Sequence, residues 1–424
     1  MAVEPYLVAI DLGSSSIKLA VAKNSLDSQD KVQILALVER SSFGVKRGMI
    51  TNMSEATEAI IEIVNQAESI IGLPIRKVIV GINGISVNFT NSEGLIIISR
   101  GDNEILESDV DRVIHDSLTK AYNLNNNEII HTIPRSFNLD NQAGIRYPVG
   151  MMGSKLECKT LIISAENSYI RNFTKIFHQA SLDVLDIKYS PLASSEFLFT
   201  PRQKKAGTAL VDIGLTSTVY VIWENEEILG SGVIPIGSDH ITADLAVGLQ
   251  TSIELAEEIK QNYLSFDEND DISDEIEIFN PDTQTNETFS TSDIRDYSRP
   301  RVEEIFYFLN KELKRVAKSS QLAGGIFLIG GGANLKGINE VAKEVTKLPI
   351  FKYFFDKNTI DFVPDYDNDP SFINAIALAA YSLYHGEEIG QGKKMTNLVH
   401  NQSQPSKKES RGVLSFLKGL MPWS

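Results

Sequence analysis

Cysteine is almost absent from this chain of 424 residues, which contains only Cys158. A single thiol excludes an internal disulfide framework and any cysteine-rich metal site, and it suits a reducing compartment. Basic residues are also in the minority, because 40 Lys and Arg stand against 56 Asp and Glu, for a net charge of −16. Binding nucleic acid requires a surplus of positive charge to neutralise phosphates, so the composition argues against a nucleic-acid partner.

Long apolar runs and targeting segments are missing as well. No stretch approaches the roughly 20 apolar residues of a membrane-spanning helix. The start, MAVEPYLVAID, lacks the basic and apolar regions of a secretory signal. The six histidines show neither HxxxH spacing nor an arguable Ser–His–Asp arrangement. We therefore expect a cytoplasmic protein in which any membrane contact is peripheral.

Charge is distributed unevenly along the chain. Residues 391–424 carry six basic side chains and one acidic side chain, a net charge of +5, which leaves −21 for residues 1–390. A basic tail on an acidic body is typical of a segment attracted to anionic lipid. Residues 386–410 are rich in Gly, Lys, Gln, Asn and Ser without periodicity, which predicts a flexible linker.

The body alternates between strand and helix patterns. Residues 7–22 and 207–229 each read as two β-rich runs around a small-residue turn, which predicts two hairpins. Helices are predicted at 54–70 (capped by Ser54), 107–118, 168–181, 190–199, 251–264, about 300–319 and 372–384. Residues 83–164 are predicted to form an inserted α+β subdomain. The acidic stretch 265–298 is predicted to be an excursion with exposed loops.

The two hairpins align with each other and suggest a duplicated domain. DLGSSS from Asp11 matches DIGLTS from Asp212, about 200 residues later. A glycine in a tight turn lets backbone N–H groups approach an anion, and Ser and Thr hydroxyls add donors. A carboxylate at the strand end can hold hydrated Mg²⁺, and Lys18 can reach a phosphate from the second strand. One copy alone would most often be an ordinary turn; two copies favour phosphate binding.

Two further patterns could flank an adenosine. The glycine cluster GGGAN at 330–334 follows a predicted buried strand, where it could lie flat against a base or ribose. Glu257 and Lys260 lie one turn apart on one helical face. A surface ion pair is an equally good interpretation of these two residues.

Taken in order, these motifs resemble the actin/Hsp70/sugar-kinase superfamily and, more narrowly, the FtsA family of bacterial actin homologues. The narrower resemblance covers about residues 5–385 and resumes at the C-terminal helix. It rests on stretches without a nucleotide role: GVKRGMITNMSEATEAI (44–60), VIVGINGISVNFTNSEGLIIISR (78–100), ESDVDRVIHDS (107–117) and GIRYPVGMMGSKLECKTLIIS (144–164).

The resemblance implies an α/β, actin-like fold of two lobes built from duplicated ribonuclease-H-like domains, with an inserted SHS2-type α+β subdomain called 1C. Lobe 1A would comprise 1–83, 165–204 and 365–385, and 1C would comprise 84–164. Lobe 2A would comprise 205–245 and 310–364, with subdomain 2B at 246–309. The linker 386–410 and an amphipathic membrane-targeting helix at 411–424 would follow.

The resemblance also implies ATP and Mg²⁺ as cofactors, sandwiched between lobes 1A and 2A. The first phosphate loop would use Asp11, Gly13, Ser14, Ser15 and Lys18. The second would use Asp212, Gly214, Thr216 and Ser217. The remaining nucleotide-binding residues would be Gly237, Glu257, Lys260, Gly331, Gly332 and Asn334. Asp11 and Asp212 would hold Mg²⁺, through water; no catalytic residue is assigned.

Partners follow from the same resemblance. The chain would polymerise with itself into actin-like filaments, bind anionic membrane lipid, recruit other divisome proteins and tether the FtsZ C-terminal peptide at the cytoplasmic face of the division site. A basic cluster in 2B is the candidate for FtsZ binding: Arg295, Arg299 and Arg301. These arginines could equally neutralise nearby acids such as Asp293 and Asp296. No nucleic-acid partner is expected.

The final segment, RGVLSFLKGLMPWS, predicts an amphipathic helix from its own spacing. The apolar residues expected to enter the membrane are Val413, Leu414, Phe416, Leu417, Leu420, Met421 and Trp423. Lys418 and Arg411 fall on the opposite side. The alternative is that this helix packs back onto the body as a C-terminal cap.

Two departures from the family pattern predict slow ATP hydrolysis at most. Leu215 replaces a glycine of the second phosphate loop, and Ser190 stands where the family often has a glutamate. Two other functions stay open: a scaffold of the PilM pilus-assembly type, and a sugar-kinase-like phosphotransferase. The basic linker, the amphipathic tail and the 44–60 segment disfavour the first, and the absence of a recognisable sugar site disfavours the second.

Overall fold

A computed structural model describes residues 6–25, 31–121, 126–267, 270, 273–280, 283–316, 322–356 and 358–384. The predicted linker at 386–410 and the predicted amphipathic helix at 411–424 lie outside the described residues. Within the described ranges, no helix has both the length and the apolar content that crossing a bilayer requires.

Helices and strands alternate along most of the chain. The strands are β1 (Leu7–Leu12), β2 (Ser16–Asn24), β3 (Val32–Ser41), β4 (Val45–Lys46), β5 (Met49–Ile50), β6 (Lys77–Ile82), β7 (Val87–Ile97), β8 (Asn127–Leu139), β9 (Gln142–Ile145), β10 (Lys155–Glu166), β11 (Asp183–Tyr189), β12 (Thr208–Ile213), β13 (Thr218–Glu224), β14 (Glu227–Ile234), β15 (Glu275–Asn280), β16 (Thr285–Ser290), β17 (Ile326–Ile329), β18 (Ile350–Lys352) and β19 (Ile360–Phe362). The helices are α1 (Met53–Ile71), α2 (Glu107–Lys120), α3 (Asn167–Gln179), α4 (Ser190–Leu198), α5 (Pro201–Ala206), α6 (Ser238–Leu249), α7 (Ile253–Tyr263), α8 (Thr291–Val316), α9 (Ile338–Thr346) and α10 (Ile373–Tyr384).

The chain divides into two compact units with the same sheet topology. Unit 1 comprises residues 1–201, 356–365 and 374–424, and unit 2 comprises 202–355 and 366–373. The sheet of unit 1 runs β3-β2-β1-β6-β11, with β19 added outside β3, and that of unit 2 runs β14-β13-β12-β17-β18. In both, the first three strands are antiparallel and the last two are parallel to the central strand. The predicted duplication of an α/β domain is therefore confirmed.

Strand β19 refines the predicted division of the chain. It pairs in parallel with β3 through Ile360, Asp361 and Phe362. Residues 356–365 accordingly belong to unit 1. The sequence-based division, which gave residues 310–364 to lobe 2A, differs here because a three-residue strand has too short a pattern to reveal its pairing partner.

Helix α1 illustrates how the local sequence sets the element. Its buried residues, among them Ile60, Ile63 and Val64, are apolar and recur at helical spacing. Asn52, not the predicted Ser54, caps its start, since the Asn52 side chain accepts hydrogen bonds from the backbone N–H of Ser54 and Glu55. Gly72 ends the helix in the left-handed conformation, at φ +70°.

The inserted subdomain lies between β6 and α3. It contains an antiparallel sheet in the order β7-β10-β8-β9, with α2 packed on one face. Its own apolar core is formed by side chains of α2 and of the sheet, among them Val110, Val113, Ile114, Phe137 and Leu156. The predicted α+β insertion is confirmed.

The region 265–298 of unit 2 was predicted incorrectly as exposed loops. It contains the β15–β16 hairpin and the first two turns of α8. The helix was expected to begin near residue 300, whereas it begins at Thr291 and includes Pro300. Its buried positions continue on both sides of the proline, at Ile294, Ser298 and Val302, so packing against the core carries the helix through it.

Candidate functional site

The two predicted phosphate turns have the same backbone geometry. In the first, the Gly13 N–H donates to the Ser16 carbonyl at 3.1 Å; in the second, the Gly214 N–H donates to the Ser217 carbonyl at 3.0 Å. A Cβ on Gly13 would lie 2.7 Å from that carbonyl oxygen, and one on Gly214 would lie 3.0 Å from its counterpart. Each turn therefore closes tightly enough to favour glycine.

Each turn also follows a carboxylate near the end of the central strand of its sheet. Asp11 is paired with Gly81 of β6, and Asp212 is paired with Ile329 of β17, both in parallel register. The carboxyl ends of parallel strands are where open α/β sheets bind their ligands. Asp212 is buried, with 4% of its surface exposed, whereas Asp11 is half-buried.

Residues distant in sequence surround the first turn. The Ser14 hydroxyl accepts a hydrogen bond from the Gly48 N–H at 2.9 Å, so its own proton can be donated elsewhere. Ser15 is exposed at the tip. The Lys18 ammonium, on a nearly buried residue, lies 2.8 Å from Glu39 of β3 and also bonds to the Ser16 hydroxyl. Lys18 therefore contacts the first turn through Ser16, with Glu39 as a partner that was not anticipated.

Ser190 connects the strand β11 to the Asp11 carboxylate. Its hydroxyl donates to Asp11 Oδ1 at 2.6 Å, although the residues are 179 positions apart, and Ser190 is fully buried. The bond passes over Gly81, where an added Cβ would lie 2.0 Å from Ser190 Oγ and 3.0 Å from Asp11 Oδ1. Only glycine at position 81 leaves room for this contact.

Helix α6 begins beside the second turn. The Ser238 N–H donates to the Gly214 carbonyl at 3.0 Å, and the Asp239 N–H donates to the Leu215 carbonyl at 2.8 Å. At Gly237, a Cβ would lie 2.3 Å from the Leu215 oxygen and 2.5 Å from the Ser217 nitrogen. The predicted residue Gly237 is thus needed for close approach of helix and turn.

Glu257 and Lys260 form a buried network rather than the surface ion pair of the alternative interpretation. Lys260 is 4% exposed, and its ammonium lies 2.6 Å from Glu257, 2.8 Å from the Thr242 hydroxyl and 3.2 Å from the Ser238 carbonyl. Burial of the Glu257 carboxyl, which alone would raise its pKa, is outweighed by hydrogen bonds from Lys260 and Thr242, so this pKa is lowered. The network fixes α7 to the start of α6, next to the second turn.

The third glycine cluster follows β17 as a 3₁₀ turn over Gly331–Asn334. Gly330 has φ +85°, and a Cβ there would lie 2.2 Å from Asp212 Oδ1. Gly332 packs against Ile213, where a Cβ would approach to 2.4 Å, whereas a Cβ on Gly331 would meet nothing within 4 Å. The Asn334 amide donates to Asp369 at 2.8 Å.

Each turn, taken by itself, fits a phosphate with Mg²⁺. Each combines close backbone approach with hydroxyl groups and a carboxylate, and Mg²⁺ is usually held by one or two carboxylates together with phosphates and waters. In unit 2, the open space beside Gly331 is of the kind that a base or ribose can cover. The predicted residues Thr216 and Ser217 lie in the second turn itself, half-buried and buried.

The three arginines proposed for peptide binding do not form one cluster. Arg295 donates to the Ser265 carbonyl at 3.0 Å, while Arg299 is paired with Glu303 at 2.7 Å and also with Glu344. Arg301 lies about 120° away from Arg295 around the helix axis. It is paired with Asp244 at 2.7 Å. The acidic partners therefore differ from the predicted Asp293 and Asp296.

Sequence reasoning did not identify Gly48, Gly81 or Glu39. Each meets the first turn from another strand or hairpin: the sheet register shows this for Gly81 and Glu39, and a hydrogen bond shows it for Gly48. The segment 44–60 had been noted for its resemblance alone, and its Gly48 gives that segment a contact with the site.

Comparisons with known proteins agree with this architecture. The family profile "Cell division protein FtsA" matches residues 209–377, and "SHS2 domain inserted in FTSA" matches residues 84–164. The cell division protein FtsA of Bacillus subtilis is 30% identical over 395 residues, covering 92% of this chain and 85% of that protein. The Pseudomonas aeruginosa FtsA is 27% identical, covering 97% and 96% respectively.

Solved structures show the same fold at lower identity. A PilM–PilN type IV pilus biogenesis complex has a TM-score of 0.66 at 16% identity, covering 89% of this chain and 98% of the matched chain. MreB5 of Spiroplasma citri bound to ADP has a TM-score of 0.51 at 12% identity, covering 93% and 98%. These structures support an actin-like ATPase fold. Together with the profile matches and the identity to FtsA over nearly the whole chain, they lead to one conclusion: this chain belongs to the FtsA family of cell division proteins.

Proposed function

We propose that this protein binds ATP with Mg²⁺ through both Asp–x–Gly turns. The observation that carries the proposal is the repeated turn, with its N–H···O bond of 3.1 Å in unit 1 and 3.0 Å in unit 2, after the corresponding strand of each unit's sheet. Ser14, Thr216 and the turn N–H groups would bind phosphate oxygens. Asp11 and Asp212 would hold the hydrated Mg²⁺, which neutralises phosphate charge when bound. The ADP in Spiroplasma citri MreB5 supports a nucleotide ligand for this fold.

We further propose that ATP is hydrolysed slowly or not at all. A hydroxyl cannot act as the general base that a glutamate at position 190 would supply, and Ser190 donates its proton to Asp11. Leu215 adds a side chain to the second turn. Turnover should therefore lie far below the ~1–10³ s⁻¹ of typical enzymes. ATP would then act as a structural ligand.

The cellular role proposed is that of a division scaffold. The protein would polymerise on the cytoplasmic face of the membrane, tether the FtsZ ring there and recruit later divisome proteins. Membership of the FtsA family supports a role in cell division, and the tail sequence supports membrane attachment. Burying four or five large apolar side chains contributes ~1.5–3 kcal/mol each, partly offset by ordering the backbone at ~1–2 kcal/mol per residue. Single tails would bind reversibly, and filaments carrying many tails would bind firmly.

Vesicle sedimentation tests the membrane attachment. The full chain should pellet with anionic vesicles, while Phe416→Glu or loss of residues 411–424 should leave it in the supernatant. Ser415→Glu places the same charge on the polar side and serves as the matched control. Raised salt should weaken binding by screening the basic residues. Pelleting of the truncated protein would show that the anchor lies elsewhere in the chain.

The proposed FtsZ contact is now best tested at Arg295 and Arg299. Arg301 is already paired on another side of α8. Charge reversal at Arg295 and Arg299 should weaken binding of an FtsZ C-terminal peptide in a titration, whereas Arg315→Glu, at the last turn of the same helix, should not. Unchanged affinity in the double variant would leave these arginines with the role of neutralising local acids only.

A further inference from the structure

The inserted subdomain contacts the strand that leads to Ser190. Tyr189, the last residue of β11, is fully buried and is held by two side chains of the insertion. The His131 ring nitrogen Nε2, on β8, accepts a hydrogen bond from the Tyr189 N–H at 3.0 Å. The Phe89 ring, on β7, stands edge-on to the Tyr189 ring, with centroids 5.4 Å apart and planes at 69°. The insertion thus fixes both the backbone and the side chain of Tyr189.

The His131 contact is made at the edge of the sheet of unit 1. β11 is the edge strand beside β6, and an edge strand presents backbone groups to which a neighbouring segment can bond. A β-bulge interrupts the β8–β10 register between the pairs His131–Ile163 and Ile129–Ser164. Bulges change the direction of neighbouring side chains, and this one adjoins the histidine that reaches across.

The His131 ring is suited to a permanent acceptor role. Its desolvation, together with the nearby Lys188 charge, lowers its pKa to about 3. The ring therefore stays neutral at physiological pH, with Nε2 unprotonated. Lys188 itself is nearly buried, paired with Asp186 at 3.0 Å and placed over the Tyr381 ring at 5.6 Å, so the charged group beside the histidine is also fixed.

The geometry points to His131 and Phe89 as positioning residues through which the inserted subdomain and the nucleotide site are coupled. The path is short: His131 and Phe89 fix Tyr189, the next residue is Ser190, and the Ser190 hydroxyl donates to Asp11 at 2.6 Å. A displacement of the insertion would move the start of α4, and with it the position of the Asp11 carboxylate. Binding at Asp11 would in turn favour one position of the insertion, since coupling between two sites is reciprocal.

This inference rests on the proposed binding of ATP at Asp11, and its test separates the two. Titration calorimetry with ATP and Mg²⁺ should show binding by the unaltered protein. His131→Leu removes the acceptor and should lower the affinity for ATP about fivefold or more. Fivefold is the lower end of typical allosteric coupling. His131→Gln, whose side-chain oxygen can still accept from Tyr189, should restore most of the affinity. His115→Leu and His115→Gln, at an exposed histidine of the same subdomain, are the matched controls.

Hydrogen exchange supplies a second readout, and its first comparison uses the unaltered protein alone. ATP with Mg²⁺ should slow amide hydrogen exchange at Tyr189 and in β8 of the unaltered protein. In His131→Leu, the exchange rates with and without ATP should differ less. Equal ATP affinity in folded His131→Leu, or an unchanged Tyr189 exchange rate on ATP binding, would overturn the coupling while leaving ATP binding intact. Absence of ATP binding by the unaltered protein would instead overturn the proposed function, and the coupling with it.

Discussion

The two Asp–x–Gly turns have the same backbone geometry but differ in the contacts that support them. The first is supported by side chains from distant segments: the Ser190 hydroxyl on Asp11, and Glu39 beside Lys18. The second is supported by close packing of Gly237 against Leu215 and Ser217 and of Gly330 against the buried Asp212. One fold thus stabilises the same turn in two ways. Substitutions at the second turn should act mainly through steric fit, whereas those at the first turn should also disturb polar contacts.

The largest effect is expected at Gly330. Gly330→Ala places a Cβ 2.2 Å from Asp212 Oδ1 at a backbone φ of +85°, which should lower the free energy of unfolding by ~1–3 kcal/mol and weaken ATP more than tenfold. Gly331→Ala is the matched control, because its Cβ meets nothing within 4 Å. Its stability should change by less than about 0.5 kcal/mol, while ATP binding should still weaken. Thermal unfolding and calorimetry measure both. ATP affinity unchanged in Gly330→Ala would contradict steric support of the second turn.

Gly81 offers the corresponding test at the first turn. Gly81→Ala brings a Cβ to 2.0 Å from Ser190 Oγ, and such overpacking should cost ~1–3 kcal/mol of stability. Adding Ser190→Ala removes the clashing hydroxyl and should recover part of the lost stability without restoring full ATP affinity. Denaturant titration of the two single variants and the double variant gives the interaction energy. Strict additivity would show that the two residues do not meet as described.

The buried network beside the second turn should matter mainly for stability. Lys260→Met leaves the Glu257 carboxylate without its main partner and should cost ~1–3 kcal/mol near neutral pH. The folded-state pKa of Glu257 is lowered, so its contribution is present above the unfolded pKa and is lost as pH falls through the folded pKa. The difference in free energy of unfolding between the unaltered protein and Lys260→Met should therefore become smaller as the pH is lowered. A difference independent of pH between neutral and about pH 3, below the usual carboxyl range, would argue against a charged pair.

The smallest effects are expected at Lys18 and Glu39. Lys18→Met removes a cation at the first turn and should lower the affinity for ATP about tenfold. This corresponds to ~1.4 kcal/mol of binding free energy, within the range for hydrogen bonds to charged groups. Glu39→Gln keeps the shape of the side chain but removes the carboxylate that competes with phosphate for Lys18. It should therefore raise the affinity for ATP slightly. Titrations at low and high salt measure both changes. Weaker ATP binding in Glu39→Gln would indicate that Glu39 orients Lys18 rather than competing for it.

The local parts of this structure could be predicted from sequence, and the long-range parts could not. Both hairpins, α1, α2 and the inserted subdomain have strong periodic patterns with turn residues between them. The Ser190–Asp11 bond and the Gly48–Ser14 bond join segments whose proximity depends on strand order, which no local pattern encodes. Helix α8 begins at Thr291, ahead of the predicted start near residue 300, because burial on both sides of Pro300 outweighs the local preference of proline.

ATP binding by the two aspartate variants tests the central claim most directly. Calorimetry with and without Mg²⁺ should be performed on the unaltered protein, Asp11→Ala and Asp212→Ala, with Asp11→Asn and Asp212→Asn as variants that keep the side-chain shape. The proposed function predicts that the unaltered protein binds ATP more tightly with Mg²⁺, and that Asp212→Ala and Asp11→Ala lose this Mg²⁺-dependent gain. Full ATP affinity in both alanine variants in the presence of Mg²⁺ would contradict the assignment of the two turns as the nucleotide site.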